Sequence, residues 1–144
     1  MALTSEEAEL VRSSFRIVSQ ESGQAAARFY QILFELAPET RSLFLNDMER
    51  QGAMLMSKLG LVVAEIQNLE GLIPVLEDLA LRHVAYGVKP EDYQLVSTAL
   101  LQMLAEVLGD DFTPEMKAAW TKAYDDLSET MINSAYSYRK IPAI

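Results

Sequence analysis

The chain has 144 residues, of which 50% are hydrophobic, and its 12 basic and 21 acidic side chains give a formal charge of -9. This length and composition are typical of one globular domain with a hydrophobic core, and they argue against disorder. The negative charge argues against nucleic-acid binding, because contacts to phosphate need clustered Lys and Arg. The sequence contains no cysteine, which excludes disulfide bonds and thiol catalysis.

Nothing in the sequence predicts export or membrane insertion. The amino terminus lacks the basic and apolar regions of a signal peptide. The longest clean apolar run, residues 59–64, is far shorter than a membrane span. We therefore expect a soluble, cytoplasmic protein with a single domain over residues 1–144.

Helical periodicity runs through nearly the whole chain, and strand-type alternation is absent. The first helix begins with a capping-box pattern, Thr4 followed by Glu7, and is expected to end at residues 22–23. The second helix ends before Pro38, since the residue preceding a proline avoids the helical region. The third begins after Asp47 and is expected to end at residues 68–71.

The second half of the chain predicts three more helices. Pro74 lies in the first turn of the fourth, which should end at Gly87, and Pro90 opens the fifth, which should end at Gly109. The sixth begins after a capping Thr113, and a partly basic tail over about residues 138–144 is expected to fray. The sequence therefore predicts one all-α domain.

His83 is the only histidine, and it shares the apolar face of the fourth helix with Leu76 and Leu79. A single histidine without cysteine cannot build a structural zinc site, which needs four ligands. His83 is then a core residue, a pH-sensitive group, or one ligand to a metal that brings its other donors with it. Haem is such a metal group, because one proximal His leaves the opposite side of the iron open to a diatomic ligand.

Several segments, in order, resemble the globin family. Residues 79–88 followed by Tyr93 resemble the proximal half of a globin, and residues 29–44 resemble its second helix and corner phenylalanine. Residues 68–74 and 112–120 are similar to bacterial single-domain globins and, less closely, to neuroglobins. The resemblance covers nearly the whole chain and implies a globin fold packed around haem b, iron protoporphyrin IX.

The resemblance also implies roles for individual residues. His83 matches the ligand of the iron, and the positions that would contact the haem are Phe44, Leu55, Leu79, Arg82, Val88, Tyr93 and Val96. Of these, Arg82 is the candidate for a propionate contact, although it could equally be an exposed solubilising residue. Phe44 and Leu55 could also be ordinary core residues.

On the distal side the matching residues are Tyr30, Gln51 and Leu55, and the last two lie four apart on one helical face. A phenol and a carboxamide can both donate to the partial negative charge of bound oxygen, each for about 1.5 to 3 kcal/mol. This is the distal pattern of bacterial haemoglobins and flavohaemoglobins, and it implies slow oxygen release. Taken singly, Tyr30 could donate to a backbone carbonyl and Gln51 could be solvated.

Two departures from related globins narrow these expectations. Without a second histidine, one chain cannot form the bis-histidine haem of neuroglobins; any sixth ligand would have to be Tyr30, Gln51, Met48, Met54 or Lys58. An ungapped last helix places Ala135 where flavohaemoglobins have a glutamate that bonds the proximal histidine. We therefore expect a weaker electronic effect on that histidine, which argues against peroxidase-like activation.

Three functions follow as hypotheses. The first is a haem-binding globin that reversibly binds O2, NO and CO at ferrous iron. The second is a nitric oxide dioxygenase that receives electrons from a separate reductase, because the 144 residues leave no room for flavin and nicotinamide domains. The third is a haemless globin-like signalling module.

Overall fold

The structure is a computed structural model that describes residues 3–44, 47–85 and 90–140, with the side chains of all of these except 43, 70, 80–85, 90 and 132–140. The described residues form helices and no strand, which confirms the all-α prediction. The helices are α1 Ser5–Ser19, α2 Ser22–Leu36, α3 Met48–Ala64, α4 Ile73–Ala85, α5 Pro90–Leu108 and α6 Pro114–Lys140. Short 3-10 segments occupy Pro38–Leu43, Leu69–Leu72 and Gly109–Asp111.

Two of the predicted helix starts have the expected caps. Thr4 Oγ1 accepts from the Glu7 amide at 3.1 Å, and Glu7 Oε1 accepts from the Thr4 amide at 2.9 Å, which closes the capping box. Lys122 Nζ of α6 also donates to Glu7 Oε1 at 2.9 Å. Thr113 Oγ1 accepts from the Met116 amide at 3.2 Å at the start of α6.

Some predicted helix ends were wrong. Ser22 and Gly23 lie in the first turn of α2, because α1 already ends at Ser19; the first amides of a helix need no intrahelical partner, so residues of low propensity are tolerated there. α3 ends at Ala64, before the expected residues 68–71. α6 continues to Lys140, through part of the expected tail, because residues 115–140 contain no Gly or Pro that would stop it.

Other predicted ends fall partly outside the described residues. α4 ends at Ala85, and Gly87 lies in the segment 86–89 that is not described. Residues 141–144, the end of the expected tail, are also not described. Gly109, where α5 was expected to end, begins a 3-10 turn with a φ of 57°, a left-handed conformation that favours glycine.

The core lies between the helices and is built from hydrophobic side chains of several of them. Val11 and Val18 of α1, Leu104 of α5 and Trp120 of α6 are buried. Trp120 Nε1 donates to Ser14 Oγ at 2.8 Å, so the polar atom of this buried indole has a partner on α1. Among the described residues, no helix is both long and apolar enough to cross a membrane.

Helices α2 and α3 approach closely because small residues meet at their contact. A Cβ atom added to Gly52 would lie only 2.9 Å from the Cβ of Ala26. Gln51 directly precedes Gly52, and Tyr30 lies one helical turn after Ala26. The close contact therefore brings Gln51 and Tyr30 to the same place.

Candidate functional site

Tyr30 and Gln51 meet between α2 and α3. Tyr30 is 6% exposed, Gln51 is half-buried, and Gln51 Nε2 donates to the Tyr30 hydroxyl oxygen at 3.3 Å. The phenol oxygen is thus the acceptor of this bond, and its own hydrogen can be donated to a further acceptor. The sequence predicted that both side chains donate to one ligand, whereas the structure shows Gln51 donating to Tyr30.

Burial determines the ionisation of this tyrosine. Desolvation raises the pKa of the Tyr30 phenol above its ordinary value of 10.0, and the hydrogen bond from Gln51 opposes this in part. The phenol therefore keeps its proton at neutral pH. It remains a hydrogen-bond donor under ordinary conditions.

Three aromatic rings pack against the Tyr30 side chain, and two of them, Phe34 and Phe44, also contact each other. The Tyr30 ring lies 5.2 Å from Phe44, edge to face, and 5.9 Å from Phe34, stacked, and Phe34 and Phe44 lie 5.6 Å apart. Phe29 meets Tyr30 edge to face at 5.0 Å. We call Tyr30, Phe34 and Phe44 the aromatic triangle. Rings in such contacts have few alternative orientations, so the triangle holds the direction of the Tyr30 side chain.

Four other predicted residues lie on α3, α4 and α5. Leu55 of α3, Leu79 of α4 and Val96 of α5 are half-buried and pack against the core. Tyr93 of α5 is buried, and its backbone carbonyl accepts from the hydroxyl of Tyr124 at 2.8 Å.

The remaining predicted residues fall outside the description. His83 and Arg82 lie within α4, but their side chains are not among those described. Val88 lies in the undescribed segment 86–89, and the side chain of Ala135 is also outside. Their roles stay predictions.

The described residues fit a haem group with a small ligand. Phe44, Leu55, Leu79 and Val96 are hydrophobic side chains that the protein alone leaves partly exposed, and a flat apolar molecule would cover them. The buried phenol, which keeps its proton, supplies a donor suited to a small and negatively polarised ligand. When bound, haem would supply an iron atom to which such a ligand can coordinate.

Sequence reasoning missed the residues that support the pair. Phe34, Arg41 and Gly52 were not identified as part of the site, although Phe34 belongs to the triangle, Arg41 contacts it and Gly52 adjoins Gln51. The glycine beside Gln51 was a usable signal, because a glycine within a helix often marks a close approach. Nothing in the sequence pattern pointed to Arg41.

Comparison with known proteins shows the family. The family model described as Globin matches residues 27–131, which is most of the chain, and the chain belongs to the globin family. An uncharacterised globin-like protein of Aquifex aeolicus is 34% identical over 130 residues, covering 90% of this chain and 92% of that protein.

A longer relative and two solved structures are also similar to this chain. A flavohemoprotein of Oceanobacillus iheyensis is 32% identical over 87% of this chain, but the match spans only 32% of that protein. An engineered carbene transferase and proposed nitric oxide dioxygenase from Rhodothermus marinus superposes with a TM-score of 0.86 at 33% identity, covering 97% and 98% of the two chains. A bacterial globin from Campylobacter jejuni shares the fold, with a TM-score of 0.84 at 24% identity over 95% and 99% of the chains.

Proposed function

We propose that this globin holds haem b through His83 and reversibly binds O2, and also NO and CO, at the ferrous iron. The observation that supports this most is the hydrogen bond from Gln51 to the buried hydroxyl of Tyr30. Both residues were identified from the resemblance to bacterial globins, and they are 21 positions apart in the sequence. An unrelated helical domain would have no reason to bring them together beside half-buried hydrophobic side chains.

Within this proposal, Tyr30 and Gln51 have different roles. Tyr30 donates its hydrogen to the bound gas, and Gln51 donates to Tyr30. A donor that accepts a bond at its own oxygen becomes a stronger donor, because hydrogen bonds in a chain polarise one another. Gln51 therefore acts on the ligand through Tyr30.

The haem itself would be held by the predicted residues around it. Phe44, Leu55, Leu79, Tyr93 and Val96 would contact the macrocycle together with Val88, and Arg82 would meet a propionate. The half-buried state of Phe44, Leu55, Leu79 and Val96 supports this assignment.

The second candidate is nitric oxide dioxygenation. Its support is the 33% identity to the proposed nitric oxide dioxygenase of Rhodothermus marinus and the set of flavohemoprotein relatives. This activity needs an electron donor, which we propose to be a reductase. The same Tyr30–Gln51 pair would serve both candidates, so the site geometry favours neither.

One experiment separates the candidates. The haem-loaded ferrous protein is first titrated with O2, for which we expect a saturable spectral change that reverses on removal of the gas. NO is then added in small portions to the O2-bound protein, with O2 kept in excess over NO and with a reductase and its reductant present to return the iron to the ferrous state. Continued formation of nitrate over many turnovers would establish the enzyme, whereas a single stoichiometric event would exclude it. A protein that takes up no haem would leave the haemless signalling module.

A further inference from the structure

Arg41 holds both main-chain ends of Phe44. The Phe44 amide donates to the Arg41 carbonyl at 3.2 Å, and Arg41 Nη1 donates to the Phe44 carbonyl, also at 3.2 Å. Phe44 has an extended backbone, with φ -106° and ψ 102°, directly after the 3-10 segment Pro38–Leu43. The Arg41 guanidinium thus provides a hydrogen-bond donor for the Phe44 carbonyl, at the point where the 3-10 segment ends.

The same guanidinium covers a second ring of the aromatic triangle. Its central carbon lies 5.5 Å from the centroid of the Phe34 ring, within the range of a cation–π contact. Phe34 stacks on Tyr30, and Phe44 meets Tyr30 edge to face. Arg41 therefore contacts both residues that flank Tyr30.

Arg41 differs from two other arginines in its ion pairing. Arg16 pairs with Glu9 at 2.8 Å and Arg28 with Glu106 at 2.9 Å. Among the ion pairs between described side chains, none includes Arg41. Its polar and cationic contacts are thus directed at the triangle.

We infer that Arg41 is a positioning residue that fixes the orientation of the Tyr30 hydroxyl through Phe34 and Phe44. This inference rests on the proposed function, since the orientation matters only if Tyr30 donates to a bound ligand. Without the guanidinium, Phe44 loses the partner of its carbonyl and Phe34 loses the cation over its ring. Both rings then gain freedom, and the phenol spends less time directed at the ligand.

The test compares Arg41→Met, Arg41→Lys, Tyr30→Phe and Arg16→Met in the haem-loaded protein. Methionine keeps an unbranched apolar stem but removes the charge and the donors, and Arg16 is a matched exposed arginine on α1. Two quantities are measured: the O2 dissociation rate, and the C–O stretching frequency of the carbon monoxide complex. The frequency responds to the electrostatic field of nearby donors and not to the overall stability of the protein.

We expect Arg41→Met to raise the O2 dissociation rate by at least about threefold, since an exposed cation–π contact and one hydrogen bond are each of modest strength. The C–O band should move in the direction that Tyr30→Phe moves it, and by less. Arg41→Lys keeps a cation and a donor, so it should recover at least half of both changes. Arg16→Met should change neither quantity.

The outcomes separate this inference from the proposed function. If Tyr30→Phe alters both quantities while Arg41→Met has a smaller effect than stated, or no more than Arg16→Met, the inference about Arg41 is wrong and the proposed function stands. Failure of Arg41→Lys to restore half of the change would also overturn it. If Tyr30→Phe alters neither quantity, the proposed role of Tyr30 is itself wrong.

Discussion

At the scale of single residues, the surroundings of Tyr30 determine which atom donates a hydrogen bond. The side chain is buried, its pKa is raised by desolvation, and its oxygen accepts from Gln51 at 3.3 Å. The phenol hydrogen is therefore the one directed outward from the pair. If a gas ligand binds there, removal of the Tyr30 hydroxyl should raise the ligand dissociation rate more than removal of the Gln51 amide.

A double-mutant cycle tests this order of action. Tyr30→Phe should raise the O2 dissociation rate by about tenfold or more, because a bond to a partly charged ligand is lost. Gln51→Leu should raise it less, and it should have little further effect in the Tyr30→Phe background, since Gln51 acts through Tyr30. Stopped-flow measurement of the four proteins gives the coupling directly. Fully additive effects would contradict it and would indicate that each residue bonds the ligand independently.

At this scale the sequence predicted the identity of the residues but not their geometry. Tyr30, Gln51 and Phe44 were all identified from the family resemblance, and the structure brings them together. The direction of the Gln51 bond depends on rotamers across 21 positions, which no pattern in the sequence encodes. Arg41 was missed for the same reason, because its role arises only once the 3-10 segment places it against Phe34 and Phe44.

At the scale of elements, the contact between α2 and α3 decides how close Tyr30 and Gln51 can come. Gly52 and Ala26 meet there, and a Cβ on Gly52 would lie 2.9 Å from that of Ala26. Real Cβ atoms do not approach so closely, and an alanine Cβ cannot rotate away. A larger residue at either position would have to push the helices apart.

Gly52→Ala should therefore destabilise the protein, although alanine is ordinarily the better helix former. Overpacking costs about 1 to 3 kcal/mol, against a gain of about 0.5 to 1 kcal/mol from helix propensity. We expect a net loss of stability in urea unfolding and a faster release of O2 as the pair separates.

The matched control and the rescue are both available in α2. Gly23→Ala adds a methyl group with nothing within 4 Å, so it should leave stability unchanged or raise it slightly. Adding Ala26→Gly to Gly52→Ala removes the clashing atom and should restore the O2 dissociation rate. A Gly52→Ala variant as stable as Gly23→Ala would show that the helices do not need this close contact.

Element positions were predicted best where local chemistry fixes a boundary. The Thr4 capping box, the Thr113 cap and the helix starts near Pro74 and Pro90 were all correct, because caps and prolines act within a few residues. The ends at residues 22–23 and near residue 138 were wrong, since residues of low helix propensity are tolerated in the first turn of a helix and no Gly or Pro stops α6 before Lys140.

At the scale of the whole molecule, the first and last helices are joined at a charged contact. Lys122 of α6 donates to Glu7, and this bond, with the bonds to Thr4, lowers the pKa of Glu7 from 4.5 to about 2. A carboxyl with a depressed pKa stabilises the folded state above its unfolded pKa. That contribution is lost as the pH falls from about 4.5 to about 2.

Lys122→Met should therefore have a pH-dependent cost. Its urea midpoint should fall below that of the natural chain near pH 6, and the difference should shrink steadily as the pH falls from about 4.5 toward 2. High salt should reduce it as well, because the contact is partly exposed. Lys117→Met, on the exposed side of the same helix, serves as the control. A difference that stays constant over this pH range would exclude Glu7 as its source.

The fold as a whole was predictable because many weak signals agreed. Helical periodicity, caps and the order of family-like segments all indicated an all-α globin fold, and the matching family and structures confirm that fold. The relatives indicate the function less closely than the fold. The flavohemoproteins are about three times as long as the segment that matches this chain, so the activity of the whole flavohemoprotein does not transfer to it.

A spectral series shows whether His83 holds the haem iron. Ferric, ferrous and carbon monoxide spectra are recorded for the natural chain and for His83→Gly, each with and without imidazole. We predict a Soret band that shifts on reduction and again with carbon monoxide, a changed spectrum in His83→Gly, and its return when imidazole fills the vacated position. A natural chain without a Soret band, or a His83→Gly variant with the unchanged spectrum, would contradict the claim.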